Sequence, residues 1–199
     1  MTYKNQFTTG ICRYNEPKNN TERRRLGMAT AETMAYCSSV LQILGQNVRR
    51  VREMRQYSYL DLARISGYNR QYLAALEAGK KDLQLGTAVK IARALNVPFS
   101  KLFSRAFDGE EVESEAEVGF TDDDFLLVFS TKVRRYLAAQ GKEEIHIYME
   151  TGVDPATVNR ILNRKIANPR IFSLIKIAAG VGKDVSDLFT RAERGSEES

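Results

Sequence analysis

The stretch from Ser58 to Gly79 constrains the fold of this chain more than any other, because it carries the start, turn and stop signals of two short helices. Ser58 can cap the first helix, since its hydroxyl can accept a hydrogen bond from an unpaired amide of the first turn. Gly67 stands where the chain must turn sharply and is expected to adopt a positive φ. Asn69 can cap the second helix, and Gly79 is a natural residue just beyond its end. The sequence therefore predicts two short helices joined by a tight turn.

The second of these helices has two different faces. Leu73 and Leu76 recur at helical spacing on the side that would be buried. The opposite side carries four polar or small residues, namely Arg70, Gln71, Ala74 and Ala75. Such a helix can lie in the major groove of DNA, where Arg suits the O6 and N7 atoms of guanine and Gln suits N6 and N7 of adenine. We therefore predict a DNA-binding helix-turn-helix in which Arg70 and Gln71 contact base edges.

The flanking residues extend this pattern over residues 46–105. Val48 and Val51 are expected to face inward from a preceding helix, and a longer helix, a break at Asn96 and a last short helix follow. The run resembles the lambda-repressor-like (XRE) DNA-binding domain. The residues that carry the resemblance are Ser58, Leu62, Ala63, Gly67, Leu73, Glu77, Gly79, Lys80, Ile91, Ala92, Leu95, Val97, Leu102 and Phe103. The chain departs from the family at Tyr59, where members usually carry a Gln that touches phosphate.

The resemblance implies a set of DNA contacts and a structural ion pair. Lys80 and Lys81 follow the second helix and are placed to meet phosphate. The DNA-binding residues predicted for this domain are Tyr59, Asn69, Arg70, Gln71, Tyr72, Ala74, Ala75, Lys80 and Lys81. Arg52 and Glu77 occupy positions where several family members form an ion pair, so we predict a structural role for Glu77.

The chain then repeats itself. Val48-Arg-Arg recurs 85 residues later as Val133-Arg-Arg and, after one extra residue in a loop, Leu102-Phe103 recurs as Leu188-Phe189. The pair Arg52 and Glu77 is replaced in the repeat by Leu137 and Leu162, so both partners of the expected ion pair changed together. The predicted fold is therefore all-α, with two tandem lambda-repressor-like helix-turn-helix domains, over residues 29–106 and 125–193, joined by an acidic linker over residues 107–124.

The second domain offers a weaker DNA-binding surface. Asp154 is predicted to cap its recognition helix, and Pro155 suits the first turn. The positions of the two base-contacting residues then hold Pro155 and Ala156, which offer no side-chain hydrogen bonds. The predicted contacts of this domain are Thr157, Asn159, Arg160, Arg164 and Lys165. Additional DNA contact by this domain is slightly favoured, and dimerisation or docking of a partner protein is the alternative.

Charge is strongly segregated along the chain. Residues 46–105 hold 12 basic and 4 acidic residues, residues 107–124 hold 9 acidic and no basic residues, and residues 125–193 hold 11 basic and 7 acidic residues. Basic folded units on either side of an acidic run fit a polyanionic partner, here double-stranded DNA. The acidic run is expected to be a solvated, flexible spacer that lets both domains reach successive major grooves. Its alternative role is to compete with DNA for a basic face.

The two ends of the chain are predicted to contribute less to the fold. Residues 1–28 are expected to form a mostly disordered basic arm, in which Arg23–Arg25 is either a solvated cluster or a contact to phosphate or the minor groove. The helical spacing of apolar residues from Thr30 to Leu44 predicts an additional helix, which either packs on its own domain or pairs two chains. Residues 194–199 are expected to be a tail.

Other classes of protein find little support in the sequence. The single histidine, His146, stands at a polar position of a predicted helix, and no metal-binding cluster, phosphate-binding glycine loop or nucleophile constellation is visible. Two cysteines and no long apolar run favour a reduced cytoplasm and no membrane span. We therefore predict a cytoplasmic protein without enzymatic activity or cofactor. The resemblance to the lambda-repressor-like family implies a transcription regulator, most often a repressor or autoregulator, that binds DNA as a homodimer. An antitoxin-type protein that represses its own promoter and a non-specific packaging protein are the rivals.

Overall fold

The computed structural model describes the backbone of residues 20–109 and 119–190, and side chains from residue 31 onward within these ranges. We call residues 31–109 the first half and residues 119–190 the second half. The described residues form α1 Asn20–Met54, α2 Tyr59–Ser66, α3 Arg70–Glu77, α4 Leu85–Ala94, a 3-10 helix Phe99–Phe103, α5 Asp122–Ala139, α6 Ile145–Thr151, α7 Pro155–Leu162, α8 Ile171–Gly180 and α9 Val185–Phe189. Within these ranges no strand forms, so the described part of the chain is all-helical.

The predicted start, turn and stop signals around α2 and α3 are confirmed. Ser58 Oγ accepts from the Asp61 amide at 3.2 Å, and the Asp61 carboxylate accepts from the Ser58 amide at 2.9 Å, which makes a reciprocal cap. Gly67 ends α2 with φ of +77°. Asn69 Oδ1 then accepts from the Tyr72 amide at 2.8 Å and caps α3. These hydrogen bonds fix the turn that sets the direction of α3.

The long helix α1 corrects two predictions about the N-terminal region. The expected additional helix and the following helix are one continuous element, and it begins at Asn20, so residues 20–28 are helical rather than part of a disordered arm. Residues 1–19 lie outside the described residues. The helix also contacts the second half of its own chain: Thr33 Oγ1 donates to the Glu150 carbonyl at 3.4 Å, and the Tyr36 hydroxyl donates to Asp184 at 2.9 Å. Packing on the second half was not among the predicted alternatives.

The close approach of α1 to α3 depends on one glycine. A Cβ atom at Gly45 would lie 2.5 Å from the Leu76 carbonyl oxygen and 2.7 Å from the Glu77 carbonyl oxygen. These separations are too short for any side chain, so only glycine lets the two helices meet here. The contact fixes the C-terminal end of α3 on α1.

The expected acidic linker is structured at both of its ends. Phe107, at its start, is buried with 2% of its surface exposed. At its end, Thr121 caps α5 through the Asp124 amide at 3.2 Å, and Asp122–Asp124 form the first turn of that helix. Acidic residues suit a helix N-terminus because the helix dipole is positive there. The predicted spacer is therefore shorter than residues 107–124, and its middle, residues 110–118, lies outside the described part of the chain.

The two halves share one hydrophobic core, whereas the sequence analysis joined them only through a flexible acidic spacer. Phe99 of the first half packs against Phe125 and Phe189 of the second half, with ring centroids 4.8 Å apart in each pair. Aromatic pairs at this distance bury large apolar areas and add a specific contact energy. The halves are therefore held by packing and not only by the segment between them. No helix in the described ranges is long and apolar enough to cross a membrane.

Candidate nucleic-acid interface

The helix α3 carries the exposed residues that the sequence assigned to base contact. Leu73 and Leu76 are buried, with 0% and 2% of their surfaces exposed, as predicted for its inner face. Arg70 and Gln71 are exposed in the first turn. Ala74, one turn further, is half-buried and leaves room for close approach of a partner. The exposed face of α3 therefore presents an arginine and a glutamine in its first turn, followed by small side chains in the next turn.

Exposed lysines and stacked tyrosines border this face. Lys80 and Lys81 are exposed in the segment after α3. Lys81 Nζ lies 5.5 Å from the ring centroid of Tyr72, and the Tyr72 ring stacks on Tyr68 at 5.1 Å. Burial raises the pKa of Tyr72 above its ordinary value, so this ring stays neutral at physiological pH. The sequence analysis did not assign a role to Tyr68, which lies in the turn before the helix cap Asn69.

The end of α3 is held by a buried ion pair, as the resemblance implied. Arg52 Nε donates to Glu77 Oε1 at 2.6 Å and Arg52 Nη2 donates to Glu77 Oε2 at 2.9 Å, with side chains 9% and 3% exposed. This is the bidentate geometry in which arginine binds carboxylate most strongly. The hydrogen bonds to Glu77 raise the pKa of Arg52, so the guanidinium stays charged. Arg52 Nη1 also donates to the Tyr57 carbonyl at 3.0 Å.

Tyr59 belongs to this buried pair. Its hydroxyl donates to Glu77 Oε2 at 2.8 Å, and the Arg52 guanidinium lies 4.3 Å above its ring centroid. Burial and the hydrogen bond to Glu77 raise the pKa of Tyr59. The hydroxyl therefore supports the carboxylate that anchors α3, a structural role that the sequence analysis did not assign. Its contact with phosphate stays a prediction.

In the second half, α7 repeats the burial pattern of α3 with different exposed residues. Asp154 caps α7 by accepting from the Thr157 amide at 3.0 Å, and Pro155 occupies the first turn, both as predicted. Pro155 is buried and Ala156 is exposed, so the positions equivalent to Arg70 and Gln71 present no hydrogen-bonding side chain. The predicted contact Thr157 is half-buried in the same turn, and its hydroxyl donates to Asp154 at 3.3 Å. Asn159 is exposed one turn later and donates to Glu144 at 3.4 Å.

The three remaining basic residues predicted to contact DNA in the second half differ in whether they are already paired with an acidic side chain. Arg160 and Lys165 are exposed. Arg164 Nη1 forms an ion pair with Asp123 Oδ2 at 2.7 Å, and both side chains are solvent-accessible. Asp123 lies in the acidic run, so one predicted DNA-binding cation pairs with that run. Exposed ion pairs of this kind are weak and are readily exchanged for another anion.

The described ranges contain no candidate metal site. Within residues 31–109 and 119–190, no three His, Cys, Asp or Glu side chains lie close enough together to hold a metal ion.

Comparison with known proteins agrees with this geometry. A family profile described as Helix-turn-helix matches residues 48–102, which include α2, α3 and α4. The chain is also similar to Control protein C.SmaI of Serratia marcescens, with 36% identity over 66 residues that make up 33% of this chain and 79% of that protein. No solved structure gives a significant match. The chain therefore belongs to the XRE-type helix-turn-helix family of DNA-binding transcription regulators.

Proposed function

We propose that this protein is a sequence-specific transcription regulator that reads operator DNA mainly with α3. The observation that carries the proposal is the exposed first turn of α3, where Arg70 and Gln71 stand on a helix whose far end is fixed by the buried Arg52–Glu77 pair. Base recognition requires side chains on a rigid element, because a loosely held helix loses the geometry of bidentate hydrogen bonds. Similarity to a protein described as a control protein supports a regulatory role. We assign this protein a role in repression or autoregulation and place it in the cytoplasm.

The residues divide between recognition and positioning. In this mechanism Arg70 contacts guanine and Gln71 contacts adenine, while the small Ala74 and Ala75 let the helix backbone approach the bases. Lys80 and Lys81 contact phosphates and set the register of α3 without distinguishing bases. The tyrosine ring beneath Lys81 restricts where that ammonium group can lie.

The proposal is tested by selecting duplexes from a random pool and measuring affinity for the selected and a scrambled sequence at several salt concentrations. Arg70→Ala should lower affinity for the selected duplex by about 1–3 kcal/mol and change affinity for the scrambled duplex far less. Lys80→Ala should weaken both duplexes alike and make the salt dependence shallower. Lys90→Ala, which removes an exposed charge from α4, is the matched control.

Two results would contradict the proposal. Equal losses for both duplexes in Arg70→Ala would remove its role in reading bases. A pool that yields no enriched sequence would indicate a non-specific packaging protein instead of a regulator.

A further inference from the structure

Two backbone hydrogen bonds join the halves in a reciprocal way. The Leu85 amide donates to the Pro169 carbonyl at 2.9 Å, and the Ile171 amide donates to the Leu83 carbonyl at 2.8 Å. In the sequence repeat, Leu83 corresponds to Pro169 and Leu85 corresponds to Ile171, each pair being 86 residues apart. Exchanging the halves therefore turns one hydrogen bond into the other.

The side chains beside these bonds follow the same exchange. The Gly86 amide donates to Asn168 Oδ1 at 2.9 Å, and the Phe172 amide donates to Asp82 Oδ1 at 3.1 Å. Asp82 corresponds to Asn168, and Gly86 corresponds to Phe172, so these contacts are again images of each other. Gln84, which lies midway between Asp82 and Gly86, forms an antiparallel bridge with Arg170. Arg170 is the residue that corresponds to Gln84 in the repeat, so this bridge is its own image when the halves are exchanged.

The core between the halves also contains a residue that packs against its own equivalent in the repeat. Phe103 stacks on Phe189, its equivalent in the repeat, with centroids 5.8 Å apart and ring planes 29° apart. Contacts in which residue i meets j while the equivalent of j meets the equivalent of i define an isologous interface, whose two sides are related by a twofold axis. Here that interface lies inside one chain, so the two halves are related by a pseudo-twofold axis.

We propose that one copy of this chain acts as its own dimer and binds a single pseudo-palindromic operator, with α3 in one half-site and α7 in the other. The inference rests on the proposed function. It follows because twofold-related recognition helices read half-sites that mirror the protein's symmetry, about one helical turn of DNA apart. The surface through which a second copy would pair in this manner is already occupied by the other half of the same chain.

The two half-sites are not read by the same side chains. In α3 the first turn offers Arg70 and Gln71, and the next turn offers alanines. In α7 the positions of Arg70 and Gln71 hold Pro155 and Ala156, and the positions of Ala74 and Ala75 hold Asn159 and Arg160. Hydrogen bonding is therefore concentrated in the first turn of one helix and in the second turn of the other. Because of this difference, one chain binds an asymmetric operator in a single orientation, whereas a homodimer with identical reading helices has no preferred direction.

The decisive experiment uses the intact wild-type chain and the duplex selected from a random pool. Light scattering on the complex after size exclusion should give one chain per duplex. The selected motif should contain two unlike half-sites at one spacing. Inserting about 5 base pairs between them should reduce affinity to that of the first half-site alone, because the shared core fixes the distance between α3 and α7, whereas heads on a flexible tether would tolerate the insertion.

Substitutions then assign the half-sites. Arg160→Ala and Asn159→Ala should each lower affinity for the full operator by about 5- to 150-fold, and relax base preference in one half-site only. Arg70→Ala should relax preference in the other half-site. Lys90→Ala again serves as the charge control.

The possible failures are distinguishable. Two chains per duplex on two identical half-sites would overturn the inference and leave the proposed function intact. A single half-site whose affinity is unchanged by Arg160→Ala would do the same, and would make the second half a docking or dimerisation module. If no sequence is enriched at all, both the proposed function and this inference are wrong.

Discussion

The buried Arg52–Glu77 pair gives the most quantitative test of how α3 is held. Both side chains are almost inaccessible, and two hydrogen bonds of 2.6 and 2.9 Å join them. In Arg52→Leu, the Glu77 carboxylate keeps only the hydroxyl of Tyr59 as a partner. Leaving one charge of a buried pair without its partner costs about 3–5 kcal/mol of unfolding free energy.

Substitution of the other partner, Glu77, should lower the unfolding free energy by less than Arg52→Leu does. In Glu77→Leu, the Arg52 guanidinium keeps the Tyr57 carbonyl at 3.0 Å and lies 3.5 Å from the more exposed Glu53. We expect a loss near the lower end of the same range, about 3 kcal/mol. Tyr59→Phe, which removes a single hydrogen bond to the charged Glu77, should cost about 1.5–3 kcal/mol.

The double substitution should recover much of the loss. Arg52→Leu with Glu77→Leu reproduces the apolar residues that the second half carries at the equivalent positions, Leu137 and Leu162, which are buried with 4% and 1% exposed. Replacing a whole buried ion pair by apolar residues of similar volume is often neutral or stabilising. The losses of the two single substitutions sum to about 6–8 kcal/mol, so recovery of much of this loss requires a coupling energy at or above the upper end of the roughly 0.5–3 kcal/mol found for residues in one ion-pair network.

The measurement is urea denaturation of the full chain, followed by helical circular dichroism. The full chain is required because the first half buries Phe99 and Phe103 against the second. The slope of free energy against urea should stay constant through the series, which keeps the comparison valid. Purely additive losses in the double variant would refute the reasoning, because they would mean that the two side chains do not interact.

Two further predictions concern other contacts. Cys37 is fully buried and burial raises its pKa to about 11; in a Cys12→Ser background a thiol reagent at pH 8 should react with it slowly. Tyr36→Phe, which removes the 2.9 Å hydrogen bond to the second half, should speed that reaction by about fivefold, and an unchanged rate would show that α1 is not held there. The hydrogen bonds from Ser58 lower the pKa of Asp61 below its ordinary value of 3.8, so its stabilisation is complete above that pH and is lost as the pH falls through the lowered pKa. Asp61→Asn should therefore flatten the fall of stability below about pH 4, measured by urea denaturation between pH 2.5 and 7, and parallel curves would contradict this role.

The local features of the fold could be predicted from the sequence because their causes lie within a few residues. Ser58, Asn69 and Asp154 each cap a helix by binding an amide three residues away, and Gly67 adopts the positive φ that a sharp turn requires. The apolar spacing in α3 gave its buried face for the same reason. These signals depend on backbone geometry and not on the rest of the chain.

The arrangement of the halves could not be predicted in this way. The sequence repeat aligns residues 82–86 with residues 168–172, but aligned segments can pair within one chain, between two chains or not at all. The hydrogen bond from Tyr36 to Asp184 spans 148 residues and leaves no local pattern. The structural role of Tyr59 was missed for a related reason, because its hydroxyl reaches Glu77, which lies 18 residues further along the chain.

A genome-wide binding profile of the wild-type chain and of Arg70→Ala tests the central claim most directly, since it asks which DNA the protein reads where it acts. We predict that the occupied sites share one motif with two unlike half-sites at a constant spacing and a constant orientation relative to the neighbouring promoter. Arg70→Ala should lose these sites while the protein remains folded. Occupancy without a shared motif would contradict sequence-specific regulation, and a palindrome of two identical half-sites would contradict recognition by a single chain.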